Sequence, residues 1–369
     1  MPKREDKKMR NNVAEYRTVR PADAKVEIKH LISKQRPVMI WGPPGIGKSE
    51  IVDEIGIETT RNVIDLRLLL MEPTDLRGIP FYNQQTGKME WAPSSDLPTD
   101  PKSTDILFLD EINAAPQSVQ AAAYQLILNR KIGAYTLPKG CAIVAAGNRE
   151  SDRGVTYRMP SPLANRFVHI EMAPNFEDWQ TWATGKGIHA DVVGYLTFAK
   201  SDLYDFDPRS SSRGFATPRS WTFVSELIDD EMPESILTDM IAGSVGEGLA
   251  VKFQAHRKLS SKMPNPSDIL KGKVKSLKDK DVSAMYSLTT ALTYELKDLF
   301  IQAEKSKKVK EWHKHADTYL GFLMDNMEPE MVILGIRSAL KAQLPFSPKE
   351  LKNFDRFYKR YGNLLSEIQ

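Results

Sequence analysis

Eight consecutive residues, Gly42-Pro43-Pro44-Gly45-Ile46-Gly47-Lys48-Ser49, constrain this chain more than any other feature. They fit the pattern G-x-x-x-x-G-K-[ST], directly after an apolar run at Pro37 to Trp41 and directly before a helical pattern carrying Ile51, Val52 and Ile55. Glycines in a strand-to-helix turn let backbone N–H groups face inward, and the helix opening after Gly47 directs its positive dipole end at the same hollow. Such a hollow suits phosphate groups. Lys48 would reach the β and γ phosphates of a nucleotide such as ATP. The Ser49 hydroxyl would serve Mg²⁺, a hard cation that prefers oxygen ligands and keeps several of its waters.

Short apolar runs alternate with helical patterns through the first 170 residues, which predicts an α/β fold with a parallel sheet flanked by helices. The strand candidates are Pro37 to Trp41, Val63 to Leu66, Ile106 to Leu109, Ala142 to Ala146 and Phe167 to Glu171. Val119, Ala123, Leu126 and Ile127 share one face at helical spacing after Pro116, a residue suited to a first helical turn. Two insertions interrupt the pattern. Residues 72–98 are rich in Pro, Gly, Asn and Asp and predict a hairpin turning at Asn83 to Gly87, with Phe81, Tyr82 and Trp91 on its arms. A second hairpin is expected over 131–140, turning near Gly133 or Pro138.

From Pro174 onward strand signals fade and helical periodicity takes over, as in Val192, Val193, Leu196 and Ala199. The expected organisation is a disordered basic tail over 1–23, a nucleotide-binding α/β domain over 24–172, an all-helical lid over 173–255 and a helical extension over 256–369. Residues 256–280 are lysine-rich and broken by prolines, which reads as a solvated connection between two helical groups. No aromatic residue interleaves with those lysines to stack a base.

Ile106 to Leu109 runs into Asp110 and Glu111, and the carboxyl ends of strands are where ligands gather in open parallel sheets. Asp110 would hold the Mg²⁺ with its waters. Glu111 would take a proton from the attacking water or orient it in line with the γ phosphate. Ala142 to Ala146 runs into Gly147-Asn148; if this strand neighbours the Asp110 strand, the Asn148 amide polarises the same water. Transition-state charge calls for a further cation, and an arginine finger contributes roughly 10³ to 10⁵ in rate. Arg166, closing the short helix Pro162 to Asn165 before the last strand, is the leading candidate for donation to a neighbouring subunit. Arg153 and Arg158 in the preceding loop stand as alternatives. Arg219, in Thr217-Pro218-Arg219 at the start of a helix, is placed to report the state of the nucleotide.

Composition narrows the rest. Lys and Arg total 51 against 48 for Asp and Glu, a formal charge of +3, which supplies no electrostatic argument for a nucleic-acid or membrane partner. A single cysteine, Cys141, in an apolar run cannot form an internal disulfide and points to a reducing compartment. No apolar stretch approaches the roughly 18 to 20 residues of a membrane span, so a cytoplasmic protein is expected. His313 and His315, two apart on a predicted helix, point away from each other and predict no metal site. Trp179 and Trp182 read as packing residues.

The segments GPPGIGKS, ILFLDEIN, IVAAGN, SPLANRF and ATPRS, in that order, resemble the MoxR family of AAA+ ATPases over residues 24–250. The hairpin introduced by Pro73-Thr74-Asp75-Leu76 and followed by LFLDEINAAPQSVQ is similar to that family's insertion in the second helix, and residues 131–140 to its second hairpin. The resemblance implies Lys48 and Ser49 as phosphate and Mg²⁺ contacts, Asp110 and Glu111 as the Mg²⁺ and water residues, and Asn148 as first sensor. It implies Arg166 as the arginine finger and Arg219 as second sensor. It further implies a ring hexamer with ATP between subunits that remodels a protein client, with a von Willebrand factor A domain protein as partner. A nucleic-acid motor or loader on the same core is the alternative, disfavoured by the near-neutral charge and the lack of a DNA-binding motif. An ATP-binding switch without turnover fits poorly with Glu111, Asn148 and a finger candidate all present.

Overall fold

The structure, a computed structural model, describes residues 17–152, 157, 159–278 and 280–366. They group into two units, one of residues 17–44 with those from Lys48 to Ala173, the other of Gly45–Gly47 with those from Pro174 onward. In the first unit β1 (Thr18–Val19), β2 (Val38–Trp41), β3 (Val63–Arg67), β6 (Ile106–Asp110), β9 (Ala142–Gly147) and β10 (Val168–Met172) form one sheet. Its order is β1-β10-β2-β9-β6-β3, and every pairing is parallel. Strands covered on both faces read as continuous apolar runs, which is why VMIW, ILFLD and AIVAAG were legible: Val38 to Ile40, Ile106 to Leu109 and Ala142 to Gly147 are all buried. The expectation of a parallel sheet flanked by helices, followed by helices alone, holds.

The helices of this unit are α1 (Pro21–Ser33), α2 (Lys48–Thr59), α3 (Pro73–Arg77), α4 (Gln117–Asn129) and α5 (Ser161–Ala164). Helix α4 buries Val119, Ala122, Ala123, Leu126 and Ile127 and ends on Arg130 in the left-handed conformation. The Arg130 guanidinium then donates to the carbonyls of Pro138 and Cys141, at 2.7 and 2.8 Å, and so clamps the segment between α4 and β9. Within that segment β7 (Lys131–Ile132) pairs with β8 (Tyr135–Thr136), and the turn falls at Gly133, with a φ of 56°, rather than at Pro138. The first hairpin pairs β4 (Ile79–Asn83) with β5 (Lys88–Ala92), its turn held by the Asn83 side chain accepting from Gln85 N at 2.9 Å. Phe81 and Tyr82 are exposed on it, while Trp91 is half-buried beneath the Arg77 guanidinium.

Two expectations require correction. The tail expected over 1–23 ends earlier, for Thr18–Val19 extends the sheet beside β10 and α1 begins at Pro21. Proline at the first helical position is pre-organised for the turn, and Ala24, Ile28 and Ile32 at four-residue spacing bury one face. Residues 1–16 of that tail lie outside the described residues. Nor is 256–280 a solvated connection: Ile269, Leu270 and Leu277 are buried, and Asn326 accepts from Leu277 N at 3.0 Å while donating to Lys275 O at 3.0 Å. Lysines between those positions stay exposed, which made the stretch look wholly solvated.

The second unit contains α6 (Phe176–Lys186), α7 (Ala190–Phe198), α8 (Pro218–Leu227), α9 (Glu234–Val245), α10 (Glu247–Ser260), α11 (Pro266–Leu270), α12 (Val282–Ser306), α13 (Val309–Asn326), α14 (Pro329–Lys341) and α15 (Phe354–Ser366). One core gathers α6 to α10 around Tyr195, Trp221 and Phe253, and a second gathers α11 to α15 around Leu292, Trp312 and Tyr319. Trp179 and Trp182 pack on the first of these. Among the described residues no helix is long and apolar enough to cross a membrane, and no group of three or more His, Cys, Asp or Glu side chains could hold a metal ion.

His256 of α10 lies buried between Ser283 and Ser287 of α12, with Nε2 2.6 Å from Ser287 Oγ. Burial holds its pKa below the ordinary histidine value, and Asp191 and Asp281 only partly oppose this. The unfolded chain therefore binds a proton that the folded chain refuses, so stability contributed at neutral pH is lost as pH falls below about 6.5. Thermal melts from pH 7.5 down to pH 5.5 should show a falling Tm, with a shallower fall in the His256→Asn variant. An unchanged slope in that variant would remove His256 from the account.

Candidate active site

The carboxyl ends of β2, β9, β6 and β3 lie side by side, with Trp41 in register with Gly147 and Arg67 with Asp110. Strand β9 neighbours β6, the condition on which the reading of Asn148 depended. Three chain segments therefore meet at one sheet edge: the phosphate loop after β2, Asp110-Glu111 at the end of β6, and Asn148 after β9.

Lys48 and Ser49 open α2. The Lys48 ammonium donates to Gly42 O at 2.7 Å, to Pro43 O at 3.0 Å and to Asn148 Oδ1 at 2.9 Å. Ser49 Oγ donates to Asp110 Oδ2 at 3.2 Å, while Asp110 Oδ1 accepts from Glu111 N at 2.9 Å. Glu111 itself has a φ of 56°, a left-handed conformation that a non-glycine residue adopts only where its surroundings demand it. Its carbonyl accepts from Ala114 N at 2.9 Å and Ala115 N at 3.2 Å, closing a turn directly behind it. Negative potential at this edge is felt on β3. There the Asp65 carboxyl is pushed above its ordinary value by partial burial and then by Asp110, with Arg67 opposing.

Arg166 lies at the other edge. Val168 N donates to Pro37 O at 2.9 Å and Val168 is in register with Val38, so Arg166 sits beside the start of β2. The phosphate loop begins four residues further along, roughly 13 Å away at about 3.3 Å per residue. Its side chain is exposed and has no hydrogen-bond or ion-pair partner among the described residues. Arg153 and Arg158 lie outside the described residues. Arg219 belongs to the second unit, at the second position of α8. That helix opens with a capping box in which Thr217 Oγ1 accepts from Ser220 N at 3.1 Å.

Four residues that sequence reasoning passed over shape this edge. Asn113 is buried and donates through Nδ2 to Asn148 O at 2.8 Å. Gly147 leaves room for it, since a β-carbon there would lie 2.4 Å from Asn113 Oδ1. Arg149, next to Asn148, is held by Glu171 and by Met172 O at 3.3 Å, so β9 leaves the sheet tied to β10. His169 accepts on Nδ1 from Trp41 Nε1 at 2.8 Å, which leaves its proton on Nε2, 2.8 Å from Ala164 O, two residues before Arg166. The ILFLDEIN and IVAAGN segments contain the first two of these, but only strand adjacency gives them a joint meaning. Cys141 is buried 3.2 Å from Ser103 Oγ, and burial pushes its thiol upward, away from the reactive thiolate.

Comparison with known proteins agrees with this geometry. Residues 37–169 match the ATPase family associated with various cellular activities (AAA). Chaperone MoxR1 of Mycobacterium tuberculosis is 28% identical over 148 residues, covering 37% of this chain and 36% of the relative's length. Among solved structures, the Thermotoga maritima RuvB Holliday junction branch migration motor aligns at a TM-score of 0.34 and 17% identity, over 66% of this chain and 74% of that one. NtrX from Brucella abortus in complex with ADP aligns at 0.34 and 13% identity, over 88% and 67%. At those scores neither structure adds to what the sheet itself shows. Residues 37–169 are thus similar to the ATPase module of the AAA class, and the chain spans about a third of the length of the curated relative it matches.

Proposed function

We propose that this protein is a MoxR-type AAA+ ATPase that hydrolyses Mg-ATP at subunit interfaces of a ring, a hexamer, to remodel a protein client in the cytoplasm. By the same resemblance its partner is a protein with a von Willebrand factor A domain. One observation carries the hydrolytic part: Lys48 within 2.9 Å of Asn148, Ser49 within 3.2 Å of Asp110, and a strained Glu111 beside them at a single sheet edge. The matched stretch of Chaperone MoxR1 and the two hairpins on either side of α4 support the MoxR assignment.

The donor set fits Mg²⁺. Ser49 Oγ and Asp110 Oδ2 are hard oxygens of the kind Mg²⁺ prefers, an ion that takes its remaining ligands from phosphates and water. Bound there, Mg²⁺ would neutralise charge developing on the phosphates. Lys48 holds the γ phosphate, Glu111 accepts a proton from the attacking water, and the Asn148 amide keeps that water in line. Arg166, at the edge opposite its own phosphate loop, serves the site of a neighbour, as a head-to-tail ring requires. Arg219, whose backbone N donates to Gly45 O of the phosphate loop at 3.3 Å, takes the second-sensor role.

Complementation tests the shared site. Lys48→Ala and Arg166→Ala should each release phosphate at least 100-fold more slowly than wild type. An equimolar mixture should recover to about a quarter of wild type, because one interface in four then joins an intact loop to an intact finger. Light scattering with Mg-ATP should give a mass near six subunits. No recovery from mixing, in a protein that stays monomeric, sinks the shared site and the ring together.

A further inference from the structure

Asn113 is 2% exposed, yet only half of its amide is used. Its Nδ2 donates to Asn148 O at 2.8 Å, while Oδ1 is buried without a hydrogen-bond partner among the described residues. An unpaired buried acceptor is unfavourable, and a leucine of similar size would avoid it. The main chain around Asn113 is committed as well. Ile112 N donates to Ala146 O at 3.1 Å, and Asn113 O accepts from Tyr157 N at 2.6 Å. Residues 112 and 113 thus bind the end of β9 on one side and the segment leading to α5 on the other.

From this geometry we infer that Asn113 is a positioning residue for hydrolysis, fixing the sensor Asn148 relative to Glu111 through the bond to the Asn148 carbonyl. This rests on the hydrolytic roles proposed above for Glu111 and Asn148. Glu111 stands two residues before Asn113, at the strained position with φ 56°. Asn148 accepts from Lys48 through its side chain and from Asn113 through its main chain, so the residue is held at both its side chain and its backbone. Gly147 belongs to the same device. Its missing β-carbon, which would come within 2.4 Å of Asn113 Oδ1 and 2.8 Å of Met39 Cε, lets the Asn113 amide close on the β9 exit. A displacement of about 1 Å in a water-orienting group is enough to cost up to 10²-fold in rate.

The test separates position from folding. Asn113→Leu removes the buried unpaired acceptor at the cost of the bond to Asn148 O, two effects of opposite sign, so its Tm should stay close to that of wild type. Its kcat should fall at least tenfold, with KM and the affinity for a non-hydrolysable ATP analogue unchanged within about twofold. Asn113→Ala asks the same question without the bulk of leucine. Gly147→Ala alone should lower Tm, and Gly147→Ala combined with Asn113→Ala should regain Tm without regaining kcat. Wild-type kcat in a folded Asn113 variant, or loss of Tm and analogue binding in step with kcat in both, overturns the inference. Glu111→Gln, measured in parallel, distinguishes the two claims: if it turns over normally the hydrolytic reading fails. If it is inactive while Asn113 variants are fully active, only the role of Asn113 fails.

Discussion

Phosphate release by the Glu111→Gln variant is expected to fall by at least 10²-fold while Mg-ATP binding stays within about threefold of wild type. Glutamine has the same shape as glutamate and keeps the backbone bond from residue 111 N to Asp110 Oδ1, so the turn with φ 56° persists. What it lacks is a carboxylate able to accept a proton. General-base catalysis contributes typically 10² to 10⁴, and removing it strikes the transition state alone. Single-turnover phosphate release and titration with a fluorescent nucleotide measure the two quantities on one sample. Equal losses in both would place Glu111 among the binding groups.

Lys48→Ala is expected to fail one step earlier, at binding. The ammonium now makes three hydrogen bonds, at 2.7, 3.0 and 2.9 Å, at the mouth of the phosphate loop and beside Asn148. Charge-assisted hydrogen bonds are worth about 1.5 to 3 kcal/mol each, so losing two to phosphate oxygens weakens ATP by roughly 10² to 10⁴. Calorimetric titration should therefore show no saturation at concentrations that fill the wild type, and ATP should no longer raise the Tm. If Tm still rises with ATP as in wild type, Lys48 does not hold the phosphates.

The strands of the first unit were legible because a parallel sheet is covered on both faces, which turns each strand into an apolar run bounded by turns. Their ends moved by a residue at most sites, as with Val38–Trp41 against an expected Pro37 start. The phosphate loop was legible because its geometry is local: eight residues between one strand and one helix carry the whole requirement. Where a segment mixes signals, composition misled. The lysines of 256–280 masked Ile269, Leu270 and Leu277, which bury against α12 and α13. The polar residues before Pro21 masked a short strand that exists only because β10 lies beside it.

Sequence by itself determined the class of the fold and the candidates Lys48, Ser49, Asp110 and Glu111, since each belongs to a motif whose chemistry is complete within a few residues. Tertiary structure alone decided that β9 lies between β2 and β6, which brings Asn148 to Lys48 and Asn113 to Asn148 across 35 residues or more. It also decided that Arg166 stands at the edge opposite its own phosphate loop. Strand order and register arise from contacts far apart in the chain, and neither periodicity nor local propensity encodes which strands become neighbours.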